Sequence, residues 1–256
     1  MSFGALITVI HCISITTLPT VYASSKSKGK IPSKDLILHP DYYNSTTQLV
    51  ESDIGIIYLS ESIFFDHEYR PICLNSSPAT DMSSSDKEQL IIIAHGGSKI
   101  QKEARFSIID NKQCEDILKI QDDDHDQETE SRPSMKNKLC AASMNDTNTG
   151  TCKGDSGSPL LFETQDLVLG NLVSKFTLIG LVSSGSDDCK SKPTPTVFTE
   201  IYSYQSWIME TIESIEKSYS GRYCVGDLTE QCGSCDVSYK LEGVNCAQEF
   251  TGLRTS

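Results

Sequence analysis

The chain lacks several patterns that would each have named a function class. No apolar run reaches the roughly 18 residues of a membrane-spanning helix, so its 256 residues do not read as a helical membrane protein. Positive charge is scarce: 22 Lys and Arg stand against 35 Asp and Glu, a net charge of −13. A nucleic-acid binder needs a basic stripe, and that class is excluded. The cysteines make no zinc-site spacing, and Cys232-x-x-Cys235 stands alone without the βαβ pattern of a redox motif. The acidic run from Asp122 to Asp126 lacks the spaced ligands and the glycine of a calcium loop, and reads as a solvated surface loop. No metal or cofactor is expected, and the chain has no internal repeats.

Ten cysteines are many for this length. Together with three Asn-x-Ser/Thr triplets at Asn44, Asn75 and Asn145, candidates for glycosylation, they favour an oxidising, extracellular setting. Short β-branched runs dominate: Leu36–Leu38, Ile54–Leu59, Leu90–Ile93, Phe106–Ile109, Leu178–Val182 and Thr196–Ile201. Clusters of Ser, Asp, Asn, Gly and Pro separate them, which predicts an all-β sandwich or barrel. One strong helical pattern runs from Tyr204 to about Tyr219, with Trp207, Ile208, Ile212 and Ile215 on one face. Beyond it, residues 218–256 carry four cysteines and few aliphatics, a disulfide-stapled tail too small for its own core.

The most informative stretch is Gly150-Thr-Cys-Lys-Gly-Asp-Ser-Gly-Ser-Pro-Leu160. A serine between glycines predicts a tight turn that exposes a hydroxyl beside free backbone N–H groups, a nucleophile and an anion cradle on one loop. The segment resembles the active-site loop of trypsin-like, chymotrypsin-fold serine proteases. The resemblance runs from about residue 4 to residue 217 and implies two antiparallel β-barrels. Residues 1–85 would form a partial first barrel, and residues 86–217 a second barrel with the C-terminal helix.

The resemblance assigns Ser156 as nucleophile and the N–H groups of Gly154 and Ser156 as oxyanion hole. Ser52-Asp53-Ile54-Gly55-Ile56 is similar to the strand bearing the triad aspartate, with His39-Pro40-Asp41-Tyr42 before it and Arg70-Pro71-Ile72-Cys73 after it. Ile7-Thr8-Val9-Ile10-His11-Cys12 is similar to the family's Leu-Thr-Ala-Ala-His-Cys, which makes His11 the base. His95 stands where the family usually has a tryptophan, a structural position. Two readings of residues 1–23 stay open: the strand and loop carrying His11, or a leader ending at Val21-Tyr22-Ala23.

For substrate binding the resemblance implies Gly150 at the base of the S1 pocket, with Ser183, Ser184, Gly185 and Thr196 in its walls. A glycine replaces the aspartate of trypsins, and Thr196 replaces a wall glycine, so a small aliphatic residue is expected before the scissile bond. Ser158 replaces a glycine and could strain the loop. Implied disulfides are Cys114–Cys140 and Cys152–Cys189. Cys12 and Cys73 are left without partners and point to missing upstream sequence, Cys73 to a pro-region. Asp155 is the implied partner of an activation ammonium, for which no Ile-Val-Gly-Gly segment is present. The expectation is a secreted, zymogen-derived endopeptidase acting on peptide or protein; a non-catalytic homologue that binds or regulates is the alternative.

Overall fold

A computed structural model describes residues 2–10, 20–22, 30–44, 49–64, 72–94, 101–122, 135–144, 150–168, 171–185 and 195–219. The first sheet is built from β1 (Ser2–Thr8), β2 (Thr20–Tyr22), β3 (Lys30–Leu38) and β6 (Gly55–Phe64), in the order β1-β6-β3-β2. Between β3 and β6 a small hairpin pairs β4 (Tyr43–Asn44) with β5 (Leu49–Val50). Residues 2–8, inside the segment with the leader reading, are thus a strand, antiparallel to β6. Among the described residues this sheet is open.

The second unit closes on itself. It comprises β8 (Leu90–Ala94), β9 (Lys102–Ile109), β10 (Lys138–Ser143), β11 (Pro159–Val168), β12 (Asn171–Ser184) and β13 (Thr196–Glu200). Because β11 pairs with both β8 and β12, six strands form a barrel, and β7 (Cys73–Leu74) adds in parallel to β12. Closure leaves few free strand edges. Among the described residues the α-helices are α1 (Ser84–Lys87), α2 (Asn111–Asp122) and α3 (Gln205–Tyr219).

All six strand-like runs lie at observed strands, and the C-terminal helix forms as the apolar spacing requires. Ile208, Ile212 and Ile215 of α3 pack with Val9, Ile54 and Ile56 of the first sheet and with Leu161, Leu178 and Leu181 of the barrel. Each fully buried isoleucine contributes about 1.5–3 kcal/mol, so α3 helps hold the two units together. Inside the barrel, Phe106 meets Phe198 edge-on at 6.3 Å, among Leu90, Leu139, Leu160 and Ile179.

The helix α2 departs from expectation, since a single helix was read from the sequence. Asp110 caps it, its Oδ1 accepting the N–H groups of Lys112 (2.9 Å) and Gln113 (3.2 Å). Cys114 and Leu118, one turn apart on its apolar face, pack with Cys140 and Val197. The tail beyond residue 219, with its expected disulfides, lies outside the described residues, as do His67, His95 and His125.

Candidate active site

Asp53 ends the extended segment that leads into β6, where Ile54 and Ile56 anchor the backbone in the core between the two units. Its side chain is 1% exposed. Oδ1 accepts the backbone N–H of Ile10 at 2.8 Å, and Oδ2 accepts the Ser183 hydroxyl at 2.8 Å. The Asp53 carbonyl accepts the Thr199 hydroxyl at 3.0 Å. A carboxylate buried without such donors is costly; here each oxygen has one. Lys138, also buried, stands near: burial pulls its ammonium below the usual lysine range, while Asp53 and Glu51 hold it up.

Ser156 lies on the turn before β11. Two glycines shape that turn with left-handed backbone, Gly154 at φ 100° and Gly157 at φ 80°, a region L side chains rarely adopt. Asp155 N–H donates to Cys152 O (2.9 Å), Ser158 N–H to Asp155 O (2.9 Å) and Gly157 N–H to Val182 O (2.8 Å). Among the described residues, the N–H groups of Gly154 and Ser156 donate to no acceptor. A Cβ placed on Gly157 would lie 3.5 Å from Thr8 Oγ1 and 3.6 Å from Val9 Cγ2. The serine turn therefore rests on the end of β1, and Ile10, next along, reaches Asp53.

Asp155 is 3% exposed, and its Oδ2 accepts the Cys152 N–H at 2.8 Å. That carboxylate is thus hydrogen-bonded within its own loop. Ser158, expected to strain that loop, accepts from Val182 N–H at 3.0 Å and keeps an ordinary negative φ.

At the expected S1 wall, Thr196 is 0% exposed and shares a 2.7 Å hydrogen bond with Thr151 Oγ1. A side chain at Gly185 would collide with that Thr151 hydroxyl, so the wall requires glycine there. Gly150 has open space where its Cβ would be. Ser184 is exposed. The Ser183 hydroxyl, in the expected pocket wall, donates to Asp53 Oδ2. Thr151, Thr199 and Ile10 were missed from sequence: two contribute a hydroxyl and one a backbone N–H, and no motif marks such roles.

His11, Cys12 and Cys189 lie outside the described residues. Cys114 and Cys140 form a disulfide. Cys152 and Cys73 are also disulfide-bonded, with partners outside the described residues. Asn75 is buried, its Nδ2 donating to Ser77 O at 2.6 Å, so the folded chain does not offer that nitrogen to a glycan.

A closed six-stranded barrel, a second β-sheet, a C-terminal helix and a glycine-flanked serine turn between the sheets define the chymotrypsin-like class of serine proteases. The trypsin family model matches residues 1–208, and the chain belongs to that family. It is 29% identical over 197 residues to a phenoloxidase-activating enzyme of Bombyx mori, covering 72% of this chain and 40% of that protein. Melanization protease 1 of Drosophila melanogaster is 27% identical over 191 residues, covering 72% of this chain and 43% of its own length. The chain thus spans less than half of either relative. Among solved structures it resembles neuropsin, a serine protease of mouse brain, with a TM-score of 0.59. That match covers 83% of this chain and 86% of the other at 23% identity, a likeness of fold.

Proposed function

We propose that this chain carries the catalytic unit of a secreted serine endopeptidase, with Ser156 as nucleophile, His11 as base and Asp53 orienting the imidazole. One observation carries the reading: the buried Asp53 carboxylate is tethered to the N–H of Ile10, the residue before His11. The serine turn rests on Thr8 and Val9 of the same strand. Asp53 and the serine turn are thus both tied to the segment that leads into His11.

In this reading Ser156 Oγ attacks the carbonyl carbon of the scissile bond as His11 takes its proton. The carbonyl electrons pass to oxygen, where the N–H groups of Gly154 and Ser156 meet the charge. Collapse expels the amine, which takes the proton from His11, and water then releases the acyl group by the same steps. Asp53, held by Ser183, stabilises the imidazolium. Asp155 is the partner for an activation ammonium, set in the loop that forms the hole. The buried Thr151–Thr196 pair supports a narrow S1 pocket and a small aliphatic residue before the cleaved bond. Disulfides at Cys73, Cys114, Cys140 and Cys152 favour an oxidising compartment. The two insect relatives carry names of an activating enzyme and a melanization protease; what we extend from them is limited proteolysis of a protein substrate.

The test is labelling of the activated protein by a fluorophosphonate probe. Labelling is expected at Ser156 and should fall by roughly 10⁴-fold in Asp53→Asn, as when a triad loses its orienting charge, and comparably in His11→Ala. A folded, activated protein that takes no label would sink the assignment.

A further inference from the structure

One residue before Asp53, Ser52 opens on a polar cleft of about 200 Å³ in which none of the catalytic candidates takes part. We propose that this cleft binds the arginine side chain of a protein partner, as a recognition site apart from the cleavage site. Its volume lies below the roughly 300–1,000 Å³ of drug-sized ligand pockets and well above the ~30 Å³ share of one water. It fits a single side chain.

The cleft contains a buried group in want of a partner. Tyr204 lines it and is 3% exposed; its hydroxyl has no partner in good hydrogen-bond geometry, while the Ser52 and Asn137 side chains stand close enough to pull its pKa down against the effect of burial. Buried hydroxyls are rarely left so, and each such case points to a missing donor or acceptor. Burial pushes the phenol above its ordinary range, with Asp53 and Asp41 acting in the same direction, so at neutral pH it is a neutral hydroxyl.

Charge selects the ligand. Asp41 and Glu51 contribute two carboxylates to the lining against the single ammonium of Lys136. His39 adds no charge at neutral pH: its Nδ1 accepts the Asp41 N–H at 3.1 Å, and burial lowers its pKa against the pull of Asp41. The balance is negative and favours a cation. Two carboxylates beside aromatic rings suit an organic cation. Trp207 and His39 present aromatic rings, 4.8 Å between centroids, and indole is the best face for a cation. A planar guanidinium can stack on such a ring and direct several N–H donors at hydroxyl and carboxylate oxygens together, which an ammonium cannot.

Trp207 is the only tryptophan in the chain, so its fluorescence reports this cleft directly. The intact protein is titrated with acetyl-arginine amide, with acetyl-citrulline amide and with acetyl-glutamate amide, then with a glycine-flanked arginine peptide. A saturable change in emission is expected with both arginine probes. Citrulline, equal in shape but uncharged, should bind at least about tenfold more weakly, the loss of one charge-assisted bond. Asp41→Asn and Tyr204→Phe should each weaken the arginine response several-fold. Removing an unsatisfied hydroxyl should not lower the thermal midpoint of Tyr204→Phe; if that variant fails to fold, the surface change Asp41→Asn carries the test. No saturable response, equal response to citrulline, or tighter binding of the glutamate probe through Lys136 would each overturn the proposal. Ser156→Ala must leave the response unchanged, so a failed fluorophosphonate label and a failed titration remain separate results.

Discussion

Asp53 illustrates how little of a residue's role is written at its own position. As a residue type it suits a strand start; what makes it a candidate orienting group is that Ile10 and Ser183, distant along the chain, each supply a donor at 2.8 Å. Ser183 shows the reverse. Its backbone position was legible by resemblance, whereas the direction of its hydroxyl was not, because rotamer choice depends on which acceptor packing brings near. His39 yields a prediction at this scale. Its ring packs edge-on against Tyr204 at 5.2 Å, and burial lowers its pKa from 6.5, with Asp41 opposing. Below about pH 6.5 the unfolded chain therefore binds a proton that folded His39 resists. Stability is whole above that pH and declines as the pH drops through the folded value. His39→Phe keeps a ring in place without the proton, so its thermal midpoint should fall less than the parent's between about pH 7 and pH 5. Equal slopes would show that His39 is not the titrating group.

Among the elements, the strands and α3 were readable because their periodicity is strong and most of their apolar positions are satisfied by one face. The helix α2 was not. Its apolar residues Cys114, Ile117, Leu118 and Ile120 stand among polar and charged neighbours and run into an acidic stretch, and the helix is tied down by its Asp110 cap and by contacts to Cys140 and Val197. The Cys114–Cys140 disulfide ties α2 to β10 across a separation of 26 residues. A loop of that size restricts the unfolded chain enough to stabilise the fold by roughly 3 kcal/mol. Replacing both cysteines by alanine should lower stability by about that amount in urea unfolding. A change under about 1 kcal/mol would mean that packing alone holds α2.

For the molecule as a whole, the seam between the first sheet and the barrel is the feature on which any chemistry rests. Ile208 of α3 is 0% exposed and belongs to the core that includes Val9 and Ile54 from one side and Leu161 and Leu181 from the other. Ile208→Ala should cost about 2–5 kcal/mol, the usual range for such a cavity. Because Val9 and Ile54 flank the Ile10–Asp53 tether, fluorophosphonate labelling of the folded variant should fall as well. Unfolding measured alongside labelling separates the two effects; full labelling in a destabilised variant would show that the seam tolerates a void.

By itself the sequence determined the β-rich class, the turn at Ser156 and the apolar face of α3, since each follows from local chemistry: β-branching, glycine at positive φ, and helical spacing. Only the tertiary structure decided that Ile10 and Ser183 share Asp53, that the serine turn sits on β1, and that the Tyr204 hydroxyl is buried in the cleft beside Asp41 and Glu51. Those facts depend on groups far apart in the chain meeting in a closed core. Hydrogen-bond geometry over such separations is set by packing, and no local pattern of residues encodes it.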